Sequence, residues 1–166
     1  MAFLTYIRVF LLASWFGAAI FFSAVVAPSA FSALRAHSLP NVGEVAGTIV
    51  TRTLAVVNLS GFVISLVLLA TALAYRKASS SLLRALELTS IAVIAITTGV
   101  GHWVIASKMR ALRLAMVIPI DQVAIDDPRR QAFNQLHGYS VAALSVAMIA
   151  ALVAFVAMAR RSSART

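Results

Sequence analysis

The sequence predicts an all-α protein: a four-helix transmembrane bundle, antiparallel and up-down, with an interfacial or extended helical segment between helices three and four. Three observations predict it. Of 166 residues, 61% are hydrophobic and only 11% charged, with a mean hydropathy of +0.95, whereas a soluble domain carries about 25% charge. Four stretches are free of Asp, Glu, Lys and Arg: 26 residues between Arg8 and Arg35, 23 between Arg52 and Arg76, 20 between Glu87 and Lys108, and 29 between Arg130 and Arg160. Each reaches the roughly 20 residues that carry a helix across a hydrocarbon core about 30 Å thick. Finally, all four prolines fall outside the candidate helix interiors, where a missing N–H would break the hydrogen-bond ladder.

The expected helices, in order, cover residues 4–27, 53–75, 86–106 and 134–158 of a single membrane domain spanning 1–166. The first apolar run exceeds the roughly 7–15 residues of a signal h-region, so it reads as a membrane helix despite a cleavage-like Ala27, Ser29 and Ala30. It is expected to stop near Pro28. Pro40, Asn41 and Gly43 mark a turn, and Val42–Thr53 is able to lead helically into the second span. Arg76-Lys77-Ala78-Ser79-Ser80-Ser81 is a short polar turn, which makes helices two and three antiparallel neighbours. Between Lys108 and Arg130, Met109, Leu112, Met116 and Ile120 recur at helical spacing, suiting an extension of helix three or a helix lying in the interface, ended by Pro119. Asp126-Asp127-Pro128 then opens helix four, with an Asp cap and Pro at the first helical position.

The net charge of +9 sits in short loops and tails, where it reads as topology signals and contacts to anionic headgroups, with no nucleic acid implied. Seven basic residues flank the helices on the side of the termini and seven on the other. Those beside the termini lie in the shorter segments, which places both termini in the cytoplasm of a bacterial inner (plasma) membrane protein. The partners expected are the lipid bilayer and other membrane helices, including self-association.

Polar side chains inside lipid are costly, so their positions are informative. His102 lies six residues before Lys108 and His137 seven after Arg130, which sets both at similar depth beneath the surface opposite the termini. Asn58 enters from the same surface. Asn134, His137 and Ser140 share one stripe of helix four, Thr98 shares the face of His102, and Asn58, Gly61 and Ser65 make a small polar stripe on helix two. Three readings of this cluster compete: interhelical polar glue; a pocket for a small solute, ion or metal, with His102 and His137 as the candidate ligands if a metal binds; and haem b held by those two histidines from facing helices. Trp15, Phe16, Phe21, Phe22 and Phe31 read as packing or lipid-facing residues. Ala13 and Gly17 have the small-xxx-small spacing of close helix contact.

Catalytic constellations are missing. Without Cys, thiolate chemistry and disulfides are excluded. All five acids are expected in loops or at helix ends, and no phosphate loop or zinc-protease motif occurs. The expectation is a non-enzymatic protein.

Trp15-Phe16-Gly17, then Ala27-Pro28 and Phe31, and Phe133 with Leu136-His137-Gly138-Tyr139-Ser140, together with the four-span layout, carry a family likeness. On these residues the chain resembles the transmembrane protein 205-like family, also filed as a domain of unknown function, over roughly Leu4 to Ala157. The resemblance implies a four-helix integral membrane protein without an assigned activity, and it puts the emphasis on Pro28, His137 and Ser140. The functional expectation is a membrane-complex subunit or a small-solute or metal-handling protein; the alternative is a bis-histidine haem b redox protein.

Overall fold

A computed structural model describes residues 2–37, 41–74 and 81–163. Helix α1 (residues 2–36) joins an α-helix at Ala2–Phe21, a π-helical turn at Phe22–Val26 and an α-helix at Ala27–Ala36. Helix α2 is Val42–Ala74. Helix α3 (residues 81–115) joins Ser81–Gly99, a π-helical turn at Val100–Ile105 and Ala106–Ala115; helix α4 is Pro128–Ser163. No strand occurs among the described residues. Each of the four helices is long and apolar enough to cross a membrane. Neighbours pack in a ring, α1 against α2, α2 against α3, α3 against α4 and α4 back against α1.

The helices run past the apolar spans. At 1.5 Å per residue, α2, with its 33 residues, is about 50 Å long against a hydrocarbon core of roughly 30 Å. Much of the surplus lies opposite the termini, where α1 continues to Ala36 and α3 to Ala115. The segment after Lys108 is therefore an extension of α3. It ends at Ala115, before Pro119, and Val117 then turns the chain with a positive φ of 57°. Pro40 and the 75–80 turn lie outside the described residues.

Pro28 corrects the expected end of the first helix, because it lies inside α1. A proline in a helix lacks an N–H and crowds the carbonyl four residues back. Here the π-helical turn comes immediately before it, with the Ala27 N–H donating to the Phe22 carbonyl five residues back. That widened turn shifts the ladder just where the proline would break it, so the helix continues.

The core is built from small residues on α4 and larger ones on its neighbours. Ala147, Ala150, Ala151 and Ala154 are buried beside Leu12, Leu68, Ile91 and Ile94. Association in lipid depends on close packing, which small residues permit. Trp15 is buried, and its indole Nε1 donates to the Val57 carbonyl at 2.9 Å. The ring lies over Gly61, where a Cβ would stand 2.5 Å from Nε1. Phe22 is also buried, Phe16 and Phe31 are half-buried, and Phe21 is exposed. Ala13 and Gly17 point outward, and a Cβ on Gly17 would meet nothing within 4 Å, so this small stripe does not form the close helix contact expected of it among the described residues.

Glu87 is a further correction: expected in a loop or at a helix end, it lies within α3 and is 1% exposed. The Arg8 guanidinium donates to its carboxylate at 2.5 Å and to the Leu68 carbonyl at 3.3 Å. The pair joins the diagonal helices α1 and α3 and engages α2 as well. A buried carboxylate is tolerated in this setting because a cation and hydrogen bonds compensate it.

Candidate functional site

At the end of the bundle away from the termini, helix ends are satisfied by groups from other segments. Asp121, in the α3–α4 loop, accepts the N–H groups of Gly43 (3.2 Å) and Glu44 (3.1 Å), capping α2 from outside its own chain segment. A Cβ at position 43 would collide with that carboxylate, so glycine admits the approach. Glu44 pairs with Arg113 at 2.5 Å, and Arg113 also donates to the Ile118 carbonyl. Gln122 donates to the Asn41 side chain at 2.9 Å. Arg129 donates to the Ala115 carbonyl at 2.8 Å, covering the end of α3. Asp127 caps α4, accepting the Arg129 N–H at 2.8 Å, which is the Asp-Pro helix start expected from sequence. The Arg129 side chain, followed by its N–H, holds the Asp127 carboxyl down at about 2, from an ordinary 3.8.

Beneath this cap lies a cavity of about 580 Å³, within the roughly 300–1,000 Å³ of small-molecule sites. Its walls are largely apolar, with Phe31 from α1, Val50 and Leu54 from α2, Met109 from α3 and Phe133 from α4. Asn58, Asn134, His137 and Ser140 line it as well. None of these four side chains is hydrogen-bonded to another described residue. Asn58 is buried against Gly101, where a Cβ would lie 2.9 Å from its amide nitrogen. Closer to the surface, Arg52, Arg110, Arg113 and Arg130 enter the lining.

The structure thus brings together four of the six candidate polar residues. Thr98 is buried but donates to the Ile94 carbonyl of its own helix at 2.6 Å, and it is not part of the lining. His102 lies outside the lining as well. It sits in the π-helical turn of α3 with its ring 4.8 Å from that of Trp103, edge to face, and Trp103 contacts Phe62 in the same manner. The His102 Nδ1 is buried without a hydrogen-bond partner. Among the described residues, no three His, Asp or Glu side chains gather as a metal site.

In sequence the arginines read as topology signals and headgroup contacts, with none of them assigned to the polar cluster. Arg130 was within reach: it continues the Asn134, His137 and Ser140 stripe one turn outward. Arg52 and Arg110 carried no comparable signal, because a long side chain reaches round its helix.

Fold and cavity together define an integral membrane four-helix bundle with a polar-floored, arginine-rimmed cavity at one end. The chain belongs to the family described as a domain of unknown function (DUF4149), which it matches over residues 10–117. The match takes in α2, Trp15-Phe16-Gly17, Ala27-Pro28 and His102, and it ends before the α4 stripe. No curated protein and no solved structure matches the chain.

Proposed function

We propose that this is a non-enzymatic integral membrane protein that holds a small solute in the cavity beneath the α3–α4 loop. One observation carries the reading: Asn58, Asn134, His137 and Ser140 present polar groups to a largely apolar cavity without using them in hydrogen bonds to any described residue. Polar glue would have consumed those groups, since its stabilisation comes from the interhelical bonds themselves. Polar groups converging on an apolar pocket are the ordinary arrangement of a ligand site. Haem b draws no comparable support, since His137 lines the cavity and His102 does not.

The reading includes both termini on the cytoplasmic side, so that the cavity opens towards the opposite surface. It also includes the finer assignment to the transmembrane protein 205-like family, supported by the four-span layout and by the residues at Trp15, Pro28 and His137.

Native mass spectrometry of protein released from its own membrane tests the site. The expected result is a retained small-molecule adduct that disappears in Ala55→Phe, which fills the cavity, and persists in Ala13→Leu on the outer face. If the protein emerges bare, and its own membrane's lipid and solute extract fails to raise its melting temperature, the reading is overturned.

A further inference from the structure

We propose that the occupant of the cavity is an anionic phospholipid, its phosphate held between Arg52 and Arg110 and part of an acyl chain lying along the apolar wall. This rests on the reading of the cavity as a ligand site. The argument begins with charge. Glu44 and Asp121 are the only carboxylates in the lining, and both are committed, Glu44 to Arg113 and Asp121 to the N–H groups of α2. Arg52 and Arg110 also line the cavity, are exposed, and have neither an ion pair nor a hydrogen bond to any described residue. Two uncompensated guanidinium groups make an electropositive mouth, and guanidinium is the side chain best shaped for phosphate oxygens.

Depth points to a lipid. Asn58 and Gly101 touch, which marks one level shared by α2 and α3. Arg52 lies six residues outward from that level and Arg110 nine, about 9 Å and 13 Å along their helices. The apolar lining around Asn58 therefore lies inward of the two arginines, towards the centre of the bundle. Guanidinium groups left without a carboxylate at the mouth of such a pocket favour an anionic headgroup over a zwitterionic one. A free phosphate would use the arginines but leave the wall beside Leu54, Met109 and Phe133 without a partner.

The test uses the full chain in nanodiscs of phosphatidylglycerol or phosphatidylcholine, read by native mass spectrometry and by competition between the two lipids. The expected result is one retained lipid, with phosphatidylglycerol preferred by about thirtyfold, on the basis of about 1 kcal/mol for each of the two arginines near the surface. Arg52→Gln with Arg110→Gln should abolish the preference while a lipid of either kind still binds. Neither arginine has a hydrogen bond or ion pair to a described residue, so the variant is expected to fold. Arg35→Gln, exposed on the same side and outside the lining, should leave the preference intact. Equal binding of both lipids by the native chain overturns the anionic assignment but leaves the ligand site standing. Displacement of phosphatidylglycerol by millimolar inorganic phosphate overturns the lipid in favour of a free anion. Loss of all adducts, including from the native chain, removes both readings together.

Discussion

Gly61 shows what a single hydrogen atom in place of a methyl does within this bundle. Trp15 donates to Val57 and lies against Gly61, so the α1–α2 contact depends on the absence of a side chain at position 61. Gly61→Ala should force the indole off its carbonyl and cost about 1–3 kcal/mol, the usual penalty of overpacking. Reversible unfolding in mixed micelles measures it, and an unchanged midpoint would show that the indole has room to move. Arg8 and Glu87 offer a sharper case. Glu87→Leu leaves a guanidinium at low exposure without its counter-charge and should cost about 3–5 kcal/mol. Arg8→Met combined with Glu87→Leu should recover most of that loss, since removing both charges removes the desolvation problem as well. A double variant as unstable as the sum of the singles would show that the two side chains act independently.

At the scale of the element, helix ends are where sequence and partner segments meet. The α4 start is local: Asp127 caps it, and its carboxyl is held at about 2 against an ordinary 3.8. A carboxyl depressed on folding contributes stability that is fully present above the unfolded value and lost as pH falls through the folded one. The first turn of α4 should therefore stay capped down to about pH 4 and loosen between about pH 4 and 2. The Asp127 carboxyl carbon, followed by NMR, should titrate near 2; a midpoint near 4 would separate the cap from its arginine. The α2 start is not local, since its cap, Asp121, is far along the chain. Asp121→Ala should cost about 0.5–2 kcal/mol, the value of a lost cap, and should speed hydrogen exchange at Gly43 and Glu44 before it affects the bundle. Uniform acceleration across all helices would refute a local capping role.

For the whole molecule, the even number of spans puts both termini on one side, and the absence of Cys makes labelling unambiguous. Ala124→Cys, exposed in the α3–α4 loop, and Leu82→Cys, exposed at the start of α3, should respond oppositely to a membrane-impermeant maleimide added to spheroplasts. The proposed cytoplasmic placement of the termini predicts that Ala124→Cys reacts and Leu82→Cys is protected. The reverse pattern would turn the cavity towards the cytoplasm, leaving its chemistry unchanged.

Much of this architecture was readable from residues alone, because lipid imposes a simple rule. Backbone groups must be satisfied within the helix, and about 20 apolar residues are needed to cross. Charge-free runs therefore announce four helices, and the distance of a polar residue from the nearest charge announces its depth. That arithmetic set Asn58, Asn134, His137 and Ser140 at the level where the cavity lies. Helix phase was another matter. In water, polarity tells the inner face of a helix from the outer; in lipid both faces are apolar, and the contrast fades. Whether His102 shares a seam with His137, whether Trp15 turns inward, and whether Ala13 and Gly17 meet a neighbour depended on how four nearly uniform cylinders rotate against one another. The passage of α1 through Pro28 and the pairing of Arg8 with Glu87 belong to the same category. Each depends on a partner outside the local sequence or on a small change in helical register, and a linear pattern of apolar residues records neither.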